Sequence, residues 1–158
     1  MNGVDRMSKQ IIIAAFPCSG KTHLLKSNDG SRKIVGLDEH VHSVIKHPSA
    51  EEILNNNKDA DILLITAHAP ALQFLEAKKL DYVLVYPEKT DECKAEWYNR
   101  NKARGSAVLG HRIKMMWKPA LDDLNNNKTA KAHYTLKANE YLSDIIDRIV
   151  EEQSSASE

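Results

Sequence analysis

The stretch Gln10-Ile11-Ile12-Ile13-Ala14-Ala15-Phe16-Pro17-Cys18-Ser19-Gly20-Lys21-Thr22 decides the fold. Its first half is apolar without alternation, the pattern of a strand covered on both faces. Pro17 and Gly20 then punctuate a turn, and residues 21–26 read as the start of a helix. Working outward, three more short apolar runs follow: residues 33–37 (KIVGL), 61–66 (DILLIT) and 82–86 (YVLVY). A weaker run is 132–136 (AHYTL). Helix-like segments at 21–26, 49–54, 69–79 and 90–104 separate them. Strand–helix alternation of this kind predicts an α/β domain with a central parallel sheet of about five strands and helices on both faces.

Two longer apolar stripes complete the pattern. Leu109, Ile113, Met116, Trp117, Ala120 and Leu124 mark one helix face, which Pro119 is expected to kink. Leu142, Ile145, Ile146 and Ile149 mark another, with Asn139 as the expected N-cap. The pentapeptide LNNNK occurs at 54–58 and again at 124–128. Both copies read as helix ends, because Asn tolerates the left-handed backbone of a helix stop. Three segments result: a flexible lead over 1–9, one domain over 10–150, and a polar tail over 151–158 expected to be disordered.

Residues 15–22 then acquire a chemical meaning. They follow the pattern of a phosphate-binding loop, with Ala15 in place of its first glycine. Pro17, Cys18 and Ser19 shape the turn. The backbone N–H groups from Ser19 to Thr22 are expected to surround a β-phosphate, helped by the positive end of the following helix. Gly20 permits close backbone approach, Lys21 reaches the β- and γ-phosphates, and the Thr22 hydroxyl is the expected Mg²⁺ ligand. The expected cofactors are therefore ATP and Mg²⁺.

The other candidates sit at strand ends. Asp38 follows the second run, where functional residues of parallel sheets gather, and is placed to take the proton of an attacking hydroxyl. Its alternative is an N-cap for a helix beginning near Glu39. Thr66-Ala67-His68 ends the third run, where an Asp holding Mg²⁺ would be usual. The nearest Asp, Asp61, is at the opposite end. His68 is read either as touching substrate or as a hydrogen-bonded structural residue. Arg100 and Arg104 are i and i+4 before the stop Gly105, so both face one way. They are expected to form a lid that stabilises charge during γ-phosphoryl transfer, the alternative being solvated surface charge.

Composition narrows the class. In 158 residues, 22 Lys and Arg balance 22 Asp and Glu, which argues against a uniformly cationic nucleic-acid binder. Apolar residues are 42%, ordinary for a globular domain. No run reaches the roughly 18–20 residues of a membrane span, and 11–16 is too short for a signal-peptide core. A cytoplasmic protein without membrane partners is expected. Cys18 and Cys93 make neither a disulfide framework nor a metal cluster.

Taken together, FPCSGKT, Asp38 and Arg100-Asn101-x-x-Arg104-Gly105 resemble the kinase domain of phage-type polynucleotide kinases. They also resemble small phage P-loop nucleotide kinases and DNA hydroxymethyluridine kinases. The resemblance spans about 10–150 and implies a three-layer P-loop NTPase fold of the nucleotide-kinase type, in the host cytoplasm if phage-encoded. It implies that Lys21 and Thr22 take the ATP phosphates and Mg²⁺, that Asp38 activates the acceptor hydroxyl, and that Arg104 with Arg100 stabilises the transition state. The acceptor would be a nucleoside, nucleotide or nucleic-acid end. A nucleoside monophosphate kinase and a non-catalytic ATP-binding module are the alternatives.

Overall fold

The computed structural model describes residues 10–36 and 50–156. The elements in order are β1 (Ile11–Ala15), α1 (Lys21–Ser27), β2 (Ile34–Gly36), α2 (Ala50–Asn56), β3 (Ile62–Thr66) and α3 (Ala69–Ala77). There follow β4 (Val83–Pro87), α4 (Asp91–Arg104), α5 (Ala107–Asn125), β5 (Ala132–Leu136) and α6 (Leu142–Ala156). The strands form one sheet in the order β2-β3-β1-β4-β5, every neighbouring pair parallel. The protein is therefore an α/β domain with a five-stranded parallel sheet flanked by helices. All five apolar runs became strands.

The burial pattern explains which runs were easy to read. β1, β3 and β4 are almost wholly buried, as their unbroken apolar sequences require. β5 lies at the edge and alternates, with Tyr134 and Leu136 inward and His133 and Thr135 exposed. Because β1 is central, the chain builds β2 and β3 on one side before crossing to β4 and β5. This strand-order reversal opens a crevice beyond the carboxyl end of β1, the place where open α/β sheets bind ligands.

The helices follow their sequence with four corrections. α5 has non-helical dihedrals at Met116, three residues before Pro119, so the expected kink is present. Pro119 has no N–H for the Met115 carbonyl and its ring crowds that carbonyl. The kink turns Met116 out of the apolar stripe, leaving it 49% exposed, while Ile113, Trp117 and Leu124 stay buried. In α6 the stripe Leu142, Ile145, Ile146 and Ile149 is buried, but Asn139 does not cap it. The helix begins at Leu142, and Asp144 Oδ2 accepts the Tyr141 N–H at 2.8 Å, the return half of a capping box. Both LNNNK copies do lie at helix ends, but not through a left-handed Asn: Asn126 caps α5 in the right-handed region, and no described Asn has positive φ. Finally, the polar tail is helical through Ala156. Gln153 is buried and donates to the Tyr134 hydroxyl at 3.1 Å, and that hydroxyl donates to Glu152 at 2.8 Å. These contacts from α6 to β5 offset the low apolar content that made the segment read as disordered.

Among the described residues no helix is long and apolar enough to cross a membrane. The lead segment 1–9 lies outside the described residues.

Candidate functional site

The turn after β1 is held open from outside. Three consecutive carbonyls are taken by donors from two other elements, α4 and the head of α6. Trp97 Nε1 of α4 donates to Pro17 O at 2.9 Å, Arg100 Nη1 donates to Cys18 O at 3.0 Å, and the Leu142 N–H at the head of α6 donates to Ser19 O at 2.7 Å. A run of carbonyls bonded outward leaves the N–H groups to find partners elsewhere. Those of Cys18, Ser19 and Gly20 have no acceptor among the described residues. Consecutive amides without acceptors beside a cavity lined by Cys18 and Gly20 suit an anion.

The backbone angles show why the sequence adopts this turn. Cys18 has φ 67° and Gly20 φ 101°, both left-handed. Ala15 has no positive φ and is paired in register with Thr66 of β3 and Val85 of β4. Replacing the first glycine of the pattern by alanine is therefore free of backbone strain. Gly20 has a second constraint beyond the one expected. A Cβ there would lie 3.1 Å from Tyr141 Cδ2 and 3.2 Å from Tyr141 Cβ. The close approach that Gly20 permits in this structure is to Tyr141, in addition to any ligand.

Arg100 departs from the expected lid arrangement. It is not a loose charge: its guanidinium lies between the rings of Trp97 and Tyr141, 4.0 and 3.8 Å from their centroids. Nε donates to Glu96 Oε2 at 2.9 Å, and Nη2 donates to the carbonyls of Ala138 at 3.1 Å and Glu140 at 2.8 Å. With the bond to Cys18 it thus ties α4, the turn and the segment before α6 into one unit, and its side chain is 7% exposed. Arg100 is a positioning residue for the turn. Arg100→Ala would leave part-buried acceptors in three segments unpaired and should cost about 3 kcal/mol of stability. Arg100→Lys should recover little, since one ammonium supplies neither the fork nor the flat stacking surface. Thermal unfolding of both variants checks this; a lysine variant matching the parent would refute it.

Arg104, one turn later, is exposed and reaches the turn directly, with Nη1 3.6 Å from Cys18 Sγ. Gly105 ends α4 with φ 81°, as its position suggested. Asn101 Nδ2 donates to Ser106 O at 2.7 Å, and so fixes the junction between α4 and α5.

Lys21, Thr22, Gly20, Arg100 and Arg104 line one cavity of about 960 Å³ beyond the carboxyl end of β1. Part of its lining is apolar, formed by Phe16, Leu72, Ile113, Met116 and Trp117, with Phe16 and Trp117 packed edge to face at 5.9 Å. His68 also lines it, but its Nδ1 accepts the Ala71 N–H at 3.2 Å and caps α3. The structural half of its expected role is thus present. Thr66 ends β3, and Asp61 is at the far end, accepting the Lys33 N–H at 2.8 Å. Thr22, next to the turn on α1, brings a hydroxyl to the cavity lining; no trio of His, Cys, Asp or Glu is grouped for a metal among the described residues. Asp38, with Glu39 and His40, lies outside the described residues.

Two lining residues had no signal in a local reading: Arg112 and Asp123, both on α5 and exposed. Asp123 is the single carboxylate among the described residues that line the cavity. Helical periodicity places both off the apolar stripe, where charged residues are ordinarily solvated. Only the packing of α5 against the crevice distinguishes them. No protein-family model and no curated protein sequence matches the chain, so the assignment of this site rests on its own residues.

Proposed function

We propose that the protein is an ATP-dependent P-loop phosphotransferase that moves a γ-phosphoryl group to a hydroxyl of a nucleoside, nucleotide or nucleic acid. The observation that carries this reading is the turn at 17–20. Its carbonyls are bonded away, the N–H groups of Cys18, Ser19 and Gly20 have no acceptor among the described residues, and it opens beside Lys21, Thr22 and Arg104 into a cavity. A triphosphate fits that donor set, and the apolar wall suits the planar part of an acceptor. Thr22 would hold Mg²⁺ together with phosphate oxygens and water, and the ion would draw charge from the phosphates.

In this mechanism the acceptor oxygen attacks the γ-phosphorus as the bond to the β,γ-bridging oxygen breaks, leaving ADP. Lys21 and Arg104 stabilise charge on the transferring group. The acceptor proton passes to a carboxylate, the role given to Asp38 by its place after β2. Trp97, Arg100 and Leu142 hold the turn in shape. Transfer is favoured over a guanine-nucleotide switch because the sequence carries no NKxD-type tetrapeptide.

Measuring ATP consumption over nucleosides, nucleotides and DNA ends tests the reading. Turnover dependent on one acceptor class is expected; ATP binding with no turnover on any acceptor would make the chain a binding module. A faster check uses Cys18, which lies in the turn and lines the cavity. Mg·ATP should slow its alkylation about tenfold when the site is about nine-tenths occupied and the bound form is fully protected. Equal alkylation with and without Mg·ATP would place the nucleotide elsewhere.

A further inference from the structure

The cavity is lined by charge of both signs, unequally shared. Lys21, Arg104 and Arg112 are cations on its lining, and Arg104 reaches the turn itself through Cys18. Asp123 is the one carboxylate among the described lining residues. It stands near the end of α5, eleven residues beyond Arg112, or about 16 Å along a straight helix axis. The α5 residues between these two that also line the cavity are Ile113, Met116, Trp117, Pro119 and Ala120, all apolar. Asp123 is exposed, and its carboxylate has no hydrogen bond or ion pair among the described residues, whereas its neighbour Asp122 is paired with Lys89. A carboxylate that lines a cavity and serves no other group is available to a ligand.

We infer that Asp123 accepts a hydrogen bond from the exocyclic amino group of a nucleobase, so that the cavity prefers adenine or cytosine to their oxo counterparts, hypoxanthine and uracil. The inference rests on the proposed phosphotransferase reading, to which it adds a preference among bases. An ionised carboxylate is an acceptor only. The oxygens of an ionised phosphate are acceptors too and carry like charge, so Asp123 has no use for them. It serves an N–H or O–H donor, and a nucleobase amino group is a donor attached to a flat, largely apolar ring. The apolar α5 residues between Arg112 and Asp123 offer surface to such a ring. Selection follows from mismatch as much as from attraction. An oxo group in the amino position sets acceptor against acceptor and leaves the carboxylate desolvated without a partner. The amino group belongs to the base of the nucleotide that supplies the phosphoryl group or to the base of the acceptor, and the chemistry is the same in both.

Calorimetric titration of two matched pairs provides the test. Mg·ATP is compared with Mg·ITP, and cytidine with uridine, each pair exchanging an amino for an oxo group. All four are titrated into the parent, Asp123→Ala and Asp123→Asn proteins. In the parent, the amino member of one pair should bind about tenfold tighter or more than its oxo partner. Asp123→Ala should bring its affinity down to that of the oxo member. Asp123→Asn should close the gap from the other side, because its amide can also donate to an oxo group. A gap between ATP and ITP places Asp123 against the base of the phosphoryl donor, and a gap between cytidine and uridine places it against the base of the acceptor. Equal affinities within both pairs in the parent, the result if Asp123 met a sugar hydroxyl instead, would overturn the inference. So would a gap that persists in Asp123→Ala. Failure of the phosphotransferase reading looks different: the parent would bind neither Mg·ATP nor Mg·ITP.

Discussion

Lys21→Ala should lower phosphoryl transfer by at least about 10²–10³-fold, the range for removing one preorganised donor from developing charge. The expectation comes from where Lys21 stands, as the first residue of α1 directly after the turn and on the wall of the cavity. Its ammonium is a point charge that a methyl group cannot replace, and water entering the gap would weaken every remaining electrostatic contact. The loss should appear mainly in kcat, because charge on the transferring group grows between ground and transition states. Circular dichroism and the melting temperature should stay close to the parent, since Lys21 is not part of the buried core. Unchanged turnover in a well-folded Lys21→Ala protein would end the phosphotransferase proposal.

Asp38→Asn is the second large effect. A hydroxyl acceptor needs a base, so kcat should fall by around 10²–10⁴-fold with little change in KM for ATP. A monophosphate acceptor is already ionised, and its transfer should be much less sensitive. The parallel variant Asp123→Asn sharpens the result, because Asp123 is the carboxylate that the described part of the cavity displays. A large loss in Asp38→Asn and a small one in Asp123→Asn assigns the base as proposed. The reverse outcome moves the base to α5 and leaves Asp38 as a helix cap. Steady-state kinetics on whichever acceptor proves active decides between them.

The residues that were legible in the sequence are those whose role is set by their neighbours in the chain. Ile11 to Ala15 read as a buried strand because nothing polar interrupts them, and Gly20 because a strand-to-helix turn demands it. Pro119 announced its kink for the same reason. Arg100 was misleading because its partners are carbonyls at Cys18, Ala138 and Glu140, and backbone carbonyls leave no mark in a sequence. A pair of arginines at i and i+4 looks the same whether both reach a ligand or one is buried as a clamp. Gln153 was misread on similar grounds, since its Tyr134 partner is on another element. Arg112 and Asp123 required the placement of α5 against α4 and β4 beside the crevice, a tertiary fact with no local correlate.

The three outward bonds of the turn also set an order of events during synthesis. The motif at 15–22 leaves the ribosome early, yet the groups that hold its carbonyls are Trp97, Arg100 and the Leu142 amide. Contacts so distant along the chain form late, because the intervening loop must close first. A nascent chain that has not yet produced α6 therefore carries the sequence of the turn without the Leu142 amide that holds its Ser19 carbonyl. On the proposed reading, a nucleotide would be engaged only after α4 and the head of α6 have docked on the turn, late in folding.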